Sequence, residues 1–284
     1  MRVEELRAEA SSAVQAVRAA LHVVAERIDS DQITSKGRLD IATGTDVKSQ
    51  AVIRALVTRT HGDHAFVGEE SGQDAVPADG SYWLVDPICG TWNFASHLPL
   101  CCVNVALVEE GQVVLGAVGD AASGEIWVSQ RGRGTWLAEA TELVPTTASD
   151  ASSILVLEPG LRGGAEAMRR AGVMAAAVAD GQWELRTLGS TIDLAYVAAG
   201  RVAGAWHPNT SAPLHFAAGA LVASEAGALV TDEDGRPWTP RSHSLVAAAT
   251  PKVHTAMLAL VAARPLEQSE PTGDTQRHRQ APEG

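Results

Sequence analysis

Aromatic residues are scarce in this chain: three Phe and two Tyr in 284 residues, so the seven Trp carry most of the aromatic bulk. Cysteine is scarcer still for its size, with only Cys89, Cys101 and Cys102. Three cysteines cannot build a disulfide framework, and neighbours such as 101 and 102 rarely bridge each other, which points to a reduced, cytoplasmic protein. Positive charge is short as well. Lys and Arg total 22 against 34 Asp and Glu, a net charge of −12. That balance excludes non-specific nucleic-acid binding and leaves no basic amphipathic face for an anionic membrane. No run of about 18 apolar residues occurs, so no transmembrane span is expected. The opening MRVEELRAEA has no apolar core, so no signal peptide is expected either. What is present is ordinary globular composition, 45% hydrophobic and 20% charged. The length fits one large domain or two small ones.

Apolar periodicity predicts a first helix, with Leu6, Ala10, Val14, Val17, Leu21, Val24 and Ile28 on one stripe. After the polar stretch 29–38, a second helix should open near Asp46, with Val52, Ile53 and Leu56 toward the core. Short apolar runs then predict strands at 82–85, 103–107, 113–118, 125–128 and 154–157, with a hairpin turn at 109–112. Helical patterns return at 166–171, 191–199 and 217–226, the last stopped by Gly227. A strand at 244–249 leads into a helix capped by Thr250, with Pro251 at its first position. This order predicts an α+β half with a mainly antiparallel sheet over residues 1–150, then an α/β half over 151–263. Residues 264–284 read as a disordered polar tail.

Two segments carry the chemistry. In the first, VGEESG (67–72) precedes WLVDPICGTWNF (83–94). A strand ends at Asp86, Pro87 and Gly90 force a turn, and residues 90–93 open a helix. A carboxylate at a strand end, beside free backbone N–H groups, suits a cation and a phosphate. The second segment runs from His207 through His215 into an apolar helix.

Taken in order, VGEESG, the run W-x-V-D-P-I-x-G-T-x-N-F and A-A-G-A-L-x-x-x-E-A-G resemble the inositol monophosphatase family. DIATGTD (40–46), LGSTIDLAYVAAGR (188–201) and Gly132–Gly134 match the same pattern. The resemblance spans roughly residues 5–262. It implies a layered α/β/α/β/α sandwich, often dimeric, that hydrolyses small phosphomonoesters with Mg²⁺. It implies that Glu69, Asp86 and the Ile88 carbonyl hold metal, with Asp46 near a weaker third ion. It further implies that Thr91 orients the attacking water with Glu70 beside it, and that Gly90 and Thr91 touch the phosphate. Ser190, Trp92 and His207 are the other expected substrate contacts.

The departures fall on the same site. Cys89 stands where the family has a second metal-binding Asp, and His215 where it has another. His207 replaces an acidic residue that contacts substrate hydroxyls, and Trp92 replaces a Thr. Exchanging two carboxylates for a thiol and an imidazole leaves paired Mg²⁺ poorly neutralised. Three readings are open. Glu69, Asp86, Cys89 and His215 form a mixed O/O/S/N set that suits Zn²⁺ or another borderline metal. Alternatively, Cys89 and His215 form a metal-free catalytic pair with a lowered thiol pKa, oriented by Asp86 or Glu69, for a different reaction. Or the fold is retained as a non-catalytic binding protein. Against these stand the plain structural roles. Cys101 and Cys102 are expected as core thiols, and Trp83, Trp127 and Trp136 as strand core. Trp92 and Trp206 are candidates to line the pocket. His97 is expected to be bland, and His22, His61, His64, His243, His254 and His278 carry no signal. The expected partner is a small phosphorylated substrate, not nucleic acid or membrane, and a homodimer is expected.

Overall fold

The computed structural model describes residues 2–263, apart from 28, 31, 38–39, 72–76, 78, 141 and 161–163. Ile28, Gly72, His278 and the tail 264–284 therefore lie outside the described residues. The chain opens with helix α1 (Ala8–Ala25), hairpin β1 (Ile33–Gly37) and β2 (Asp40–Thr43), and helix α2 (Gly44–Thr60). Then come β3 (Ala65–Gly68), β4 (Ser81–Cys89), the short α3 (Thr91–Ala95), β5 (Cys102–Glu109) and β6 (Gln112–Asp120). Strands β7 (Ile126–Gln130), β8 (Gly134–Glu139) and β9 (Glu142–Thr146) complete this part. The remainder is β10 (Ile154–Leu157), α4 (Gly164–Asp180), β11 (Glu184–Arg186), α5 (Ile192–Ala198), β12 (Gly204–His207), α6 (Ala217–Glu225), β13 (Leu229–Thr231), β14 (Leu245–Ala248) and α7 (Pro251–Ala262).

Strands β3 to β9 form one seven-stranded sheet in sequence order, antiparallel except for the β3–β4 pair. A second sheet has the order β11-β10-β12-β14-β13 and mixes parallel and antiparallel pairs. The apolar clusters show how these stack. Trp83 and Val85 of β4 pack with α1 and α2, whereas Tyr82 and Leu84 pack with α5 and α6. The period of two along a strand sends alternate residues to opposite faces, so β4 is buried on both sides. Residues of α5 and α6, such as Leu194 and Ala220, also pack on the second sheet. Val173 of α4 and Met257 of α7 cover that sheet's far face. The result is the expected α/β/α/β/α sandwich. Small residues let its central layer approach the first sheet closely. A Cβ on Gly116 of β6 would lie 2.6 Å from the Ala218 carbonyl of α6.

Local signals explain most elements. Thr250 caps α7 through the Val253 N–H and Pro251 occupies its first turn, as expected. Glu110 and Gly111 both have positive φ, the conformation of a two-residue hairpin. Four expectations need correction. Helix α2 starts at Gly44 with Thr43 as its cap, and Asp46 closes a capping box from the third position. The polar stretch at 29–38 contains β1, an exposed strand with no apolar alternation to reveal it. Helix α4 runs to Asp180, well past the segment whose apolar period is visible. Strands β2, β3, β9, β11, β12 and β13 carry no readable alternation because they are short or irregularly patterned, and of β8 only Trp136 is readable as strand core. Trp83, Trp127 and Trp136 are core, as expected. His61 and His64 are not free surface residues: they stack 5.8 Å apart and both lean on the Trp83 ring.

Candidate active site

Strand β4 is apolar on both faces until Asp86, which is fully buried. Register with β5 is lost between Asp86 and Cys89, so the strand end bulges away from its neighbour. Gly90 then turns the chain with φ 97°, and a Cβ there would press the Leu100 carbonyl at 2.8 Å. Asn93 Nδ2 ties the turn to the carbonyls of Leu100 and Leu188, at 2.8 and 2.7 Å. The turn after the strand is therefore held by the Gly90 backbone shape and by the Asn93 side chain.

His215 reaches this end from a 3-10 turn (Pro213–His215) just before α6. Its Nδ1 lies 2.6 Å from Asp86 Oδ2, while Asp86 Oδ1 accepts the Ile88 N–H at 3.1 Å. Burial disfavours the imidazolium, but the Asp86 carboxylate outweighs it and holds the His215 pKa well above its usual range. Ligand atoms of Asp86, Cys89 and His215 all lie within 4.8 Å of one another. Cys89 is buried, and its sulfur accepts from Thr191 Oγ1 at 3.1 Å and from the Thr191 N–H at 3.4 Å. The neighbouring Cys102 thiol, burial and the Asp86 charge push the Cys89 thiol well above its ordinary pKa. This corrects the expectation of a lowered thiol. A carboxylate 4.8 Å away or closer, in an apolar setting, disfavours a thiolate more than His215 favours it.

These residues open on a cavity of about 310 Å³. Glu69, Asp86, Ile88, Cys89, Gly90, Thr91, Ser190, His207 and His215 are among the residues that line it. Nine of the expected site residues thus meet in one place. Thr91 Oγ1 donates to the Ile88 carbonyl at 3.0 Å and lies 3.2 Å from Asp46 Oδ1. Lys36 of β1 spans Glu69 and Glu70, with Nζ 2.8 and 2.9 Å from their carboxylates. Burial and the Asp86 charge push Glu69 up to about 8 despite Lys36. His207 Nε2 meets the fully buried Asp193 at 2.9 Å. Burial opposes its charge, and Asp193 outweighs burial and raises its pKa.

Four expected residues are placed elsewhere. Asp46 is wholly buried, does not line the cavity, and spends both oxygens on Thr43 and Thr91. Burial lifts it to about 6, and its position is that of a brace for Thr91 rather than a free metal ligand. Glu70 faces a neighbouring depression with Lys36, Thr43 and Lys48. Trp92 is half exposed and outside the cavity lining. Trp206 points to the opposite face of β12 from His207, into the core, where its indole N–H donates to Glu233. His97 lies outside the cavity lining, in line with its bland reading.

Sequence reasoning missed Lys36, Glu158, Asp193 and Phe216. Glu158 directly follows β10 as Asp86 lies at the end of β4, a parallel that was available. Its Oε1 accepts the N–H groups of Leu188 and Gly189, and burial raises its pKa. Asp193 is an acid amid the apolar residues of α5, and an unpaired acid in such a helix is itself a signal. Lys36, on an exposed polar strand, carried none.

Paired Mg²⁺, which the family resemblance implies, does not fit this donor set. Magnesium requires oxygen ligands, and here a thiol and an imidazole occupy the positions around Asp86. A thiol, an imidazole and a carboxylate in mutual reach suit zinc or a similar borderline ion.

Comparison with known proteins bears on the whole chain. Residues 4–266 match the model of the inositol monophosphatase family. The Nus factor SuhB of Salmonella typhimurium is 32% identical over 251 residues, covering 87% of this chain and 93% of that protein. An inositol-1-monophosphatase of Mesorhizobium japonicum is 36% identical over 214 residues, covering 72% of this chain and 76% of that one. Among solved structures, the SuhB protein of Bartonella henselae superposes with a TM-score of 0.79 at 26% identity, covering 90% of this chain and 98% of that one.

Proposed function

The chain belongs to the inositol monophosphatase family, and from that premise we propose that it hydrolyses a small phosphomonoester with a borderline divalent ion in place of paired Mg²⁺. The observation that carries this reading is the Asp86, Cys89 and His215 cluster, within 4.8 Å and on the wall of the cavity. Both replacements put metal donors where decay would put inert side chains. Asp86, Cys89 and His215 would hold the ion, with Glu69 across from them. Bound there, the ion supplies positive charge to the phosphoryl oxygens and acidifies a water.

The chain's own groups do the rest. Thr91, braced by Asp46 and the Ile88 carbonyl, orients the attacking water from the intact oxygen corner. The Gly90–Thr91 backbone and Ser190 contact the phosphate. Ser190 Oγ donates to the Cys89 carbonyl at 3.0 Å, which ties the end of β4 to the segment before α5. His207 contacts the remainder of the substrate. The name Nus factor belongs to the relatives. For this chain the net charge of −12 favours a small-molecule partner over nucleic acid. A cytoplasmic homodimer completes the reading. Among the described residues no helix is long and apolar enough to cross a membrane.

Elemental analysis of the purified protein, alongside hydrolysis of a panel of phosphate esters, tests this. Near-stoichiometric zinc or iron, with activity lost to chelator and restored by that metal, is the expected result. Metal-free protein whose activity ignores chelator and falls to iodoacetamide would replace it with the thiol-catalyst reading. Absence of both metal and activity would leave a binding protein.

A further inference from the structure

A second cavity, of about 370 Å³, adjoins the first and shares Glu158, His207, His215 and Phe216 with it. It has room for the part of a substrate that does not react. Its character is set by how its charges are turned. His207 lines both cavities, while its partner Asp193 lines neither and is fully buried behind the ring. Among the described residues Asp193 Oδ1 has no hydrogen-bond partner, and the imidazole is the one charged group found against this carboxylate. A buried carboxylate with one such partner demands that the partner carry the positive charge. Nε2 is committed to Asp193, and Nδ1 has no partner among the described residues. The raised pKa of His207 agrees with this arrangement.

The opposite side repeats the pattern. Arg170 of α4 lines the cavity and is mostly buried, pinned by the carbonyls of Pro159 and Pro208 at 3.3 and 3.5 Å. Glu166, which also lines the cavity, has its charge shared between Arg169 and Arg170 at 2.9 and 3.0 Å. Glu158 faces the same space with one oxygen already bonded to two backbone N–H groups. Asn209 and Ser211 add neutral polar groups. His207 is thus presented to the cavity with its carboxylate behind it, and Arg170 beside it, while the two carboxylates on the lining are already engaged, Glu166 by two guanidinium groups and Glu158 by two backbone N–H groups.

We infer that this second cavity binds an anionic group, a carboxylate or a second phosphate, on the substrate whose phosphate ester occupies the first. The inference rests on the phosphate-ester reading and names its substrate class: a phosphorylated acid or a bisphosphate rather than a phosphorylated neutral polyol. His207 and Arg170 determine that specificity, and the contact of His207 with the Phe216 ring, at 5.1 Å, fixes the imidazole's tilt.

Calorimetric titration of the purified protein with glycerol 2-phosphate, 3-phosphoglycerate and a hexose bisphosphate tests this directly. A charge-assisted contact to a largely desolvated imidazolium should make the second or third ligand bind about tenfold tighter than the first, or more. Which of the two is favoured tells carboxylate from phosphate. His207→Gln should reduce the ratio to about threefold or less. Because that variant strands Asp193, the double variant Asp193→Asn/His207→Gln is measured beside it. It removes both charges, and should show the same reduced ratio with a retained cooperative melt. Equal affinity for all three ligands, or a ratio that survives in the double variant, overturns the inference while sparing the phosphate-ester reading. Binding of none of the three overturns both.

Discussion

The two walls of the active cavity start from the same strand end and diverge in chemistry. One wall is made of oxygen. Thr91 and the Ile88 carbonyl line it, and Asp46 and Thr43 stand behind them outside the lining, in a connected set in which each group has a partner from the helix cap or the turn. The other wall joins Asp86 to a thiol and an imidazole. The oxygen wall depends on local geometry, a capping box and a glycine turn, so its groups are fixed before any ligand arrives. The mixed wall depends on segments more than a hundred residues apart, since His215 and Thr191 arrive from the second half of the chain. The difference teaches that a site can change its ion preference on one wall and keep its water- and phosphate-positioning groups on the other, because the two are built by separate elements.

The largest effect should come from breaking the mixed wall. Cys89→Ala removes the soft donor, and bound zinc or iron should fall from near one per chain to near none by elemental analysis. The reciprocal change, Cys89→Asp with His215→Asp, should turn the mixed wall into an oxygen wall and make activity depend on Mg²⁺. A wild-type protein that holds no metal, with a variant that gains no Mg²⁺ dependence, would dissolve the contrast.

Next in size is the buried dyad that supports the second cavity. Asp193→Asn leaves His207 without its counter-charge in the interior. Breaking a buried pair from one side costs about 3–5 kcal/mol, which chemical denaturation would register. A loss under about 1 kcal/mol would mean that the pair is solvated. The oxygen wall is probed more gently. Thr43→Ala removes the α2 cap and the two hydroxyl contacts to Asp46, sparing the bond from the residue-43 backbone N–H, at about 0.5–2 kcal/mol of stability. It should also lower kcat through the loosened Thr91 while leaving metal content intact. If metal content falls too, the walls are not independent.

The smallest effect is a control away from both walls. His254 is largely buried against Thr231, and burial lowers its pKa. The unfolded chain therefore binds this proton more readily than the folded one. Its contribution to stability is present above the unfolded value near 6.5 and is lost as pH falls below it. His254→Gln should shrink the loss of Tm between pH 7.5 and 5.5, leaving metal content and activity alone.

Much of the site was legible in the sequence because its oxygen wall is local. The turn from Asp86 to Asn93 lies within one segment, and so does the capping box. Cys89 and His215 were also legible as a pair, through family positions rather than through any spacing between them. What was not legible follows a common cause. Asp46 reads as a ligand in sequence, yet in the fold its two oxygens are consumed by its own helix cap and by Thr91. Trp206 and His207 are neighbours in sequence, and only the pleat of β12 decides that one enters the core and the other the cavity. Lys36 could not be found from its polar strand, because its meaning arises from Glu69 and Glu70 more than thirty residues away.

By itself the sequence determined the order of many elements, since apolar period and turn residues are local consequences of backbone sterics, while the layered sandwich, the site turn and the two altered positions came through the family resemblance of its motifs. Only the tertiary structure decided the protonation of Cys89, because a thiol's pKa follows the charges and burial around it, and these come from strands and helices distant in the chain. The same holds for the two imidazole–carboxylate pairs. Each half is unremarkable alone; the fold brings each imidazole within 3 Å of a buried carboxylate, whose charge outweighs the burial that opposes an imidazolium.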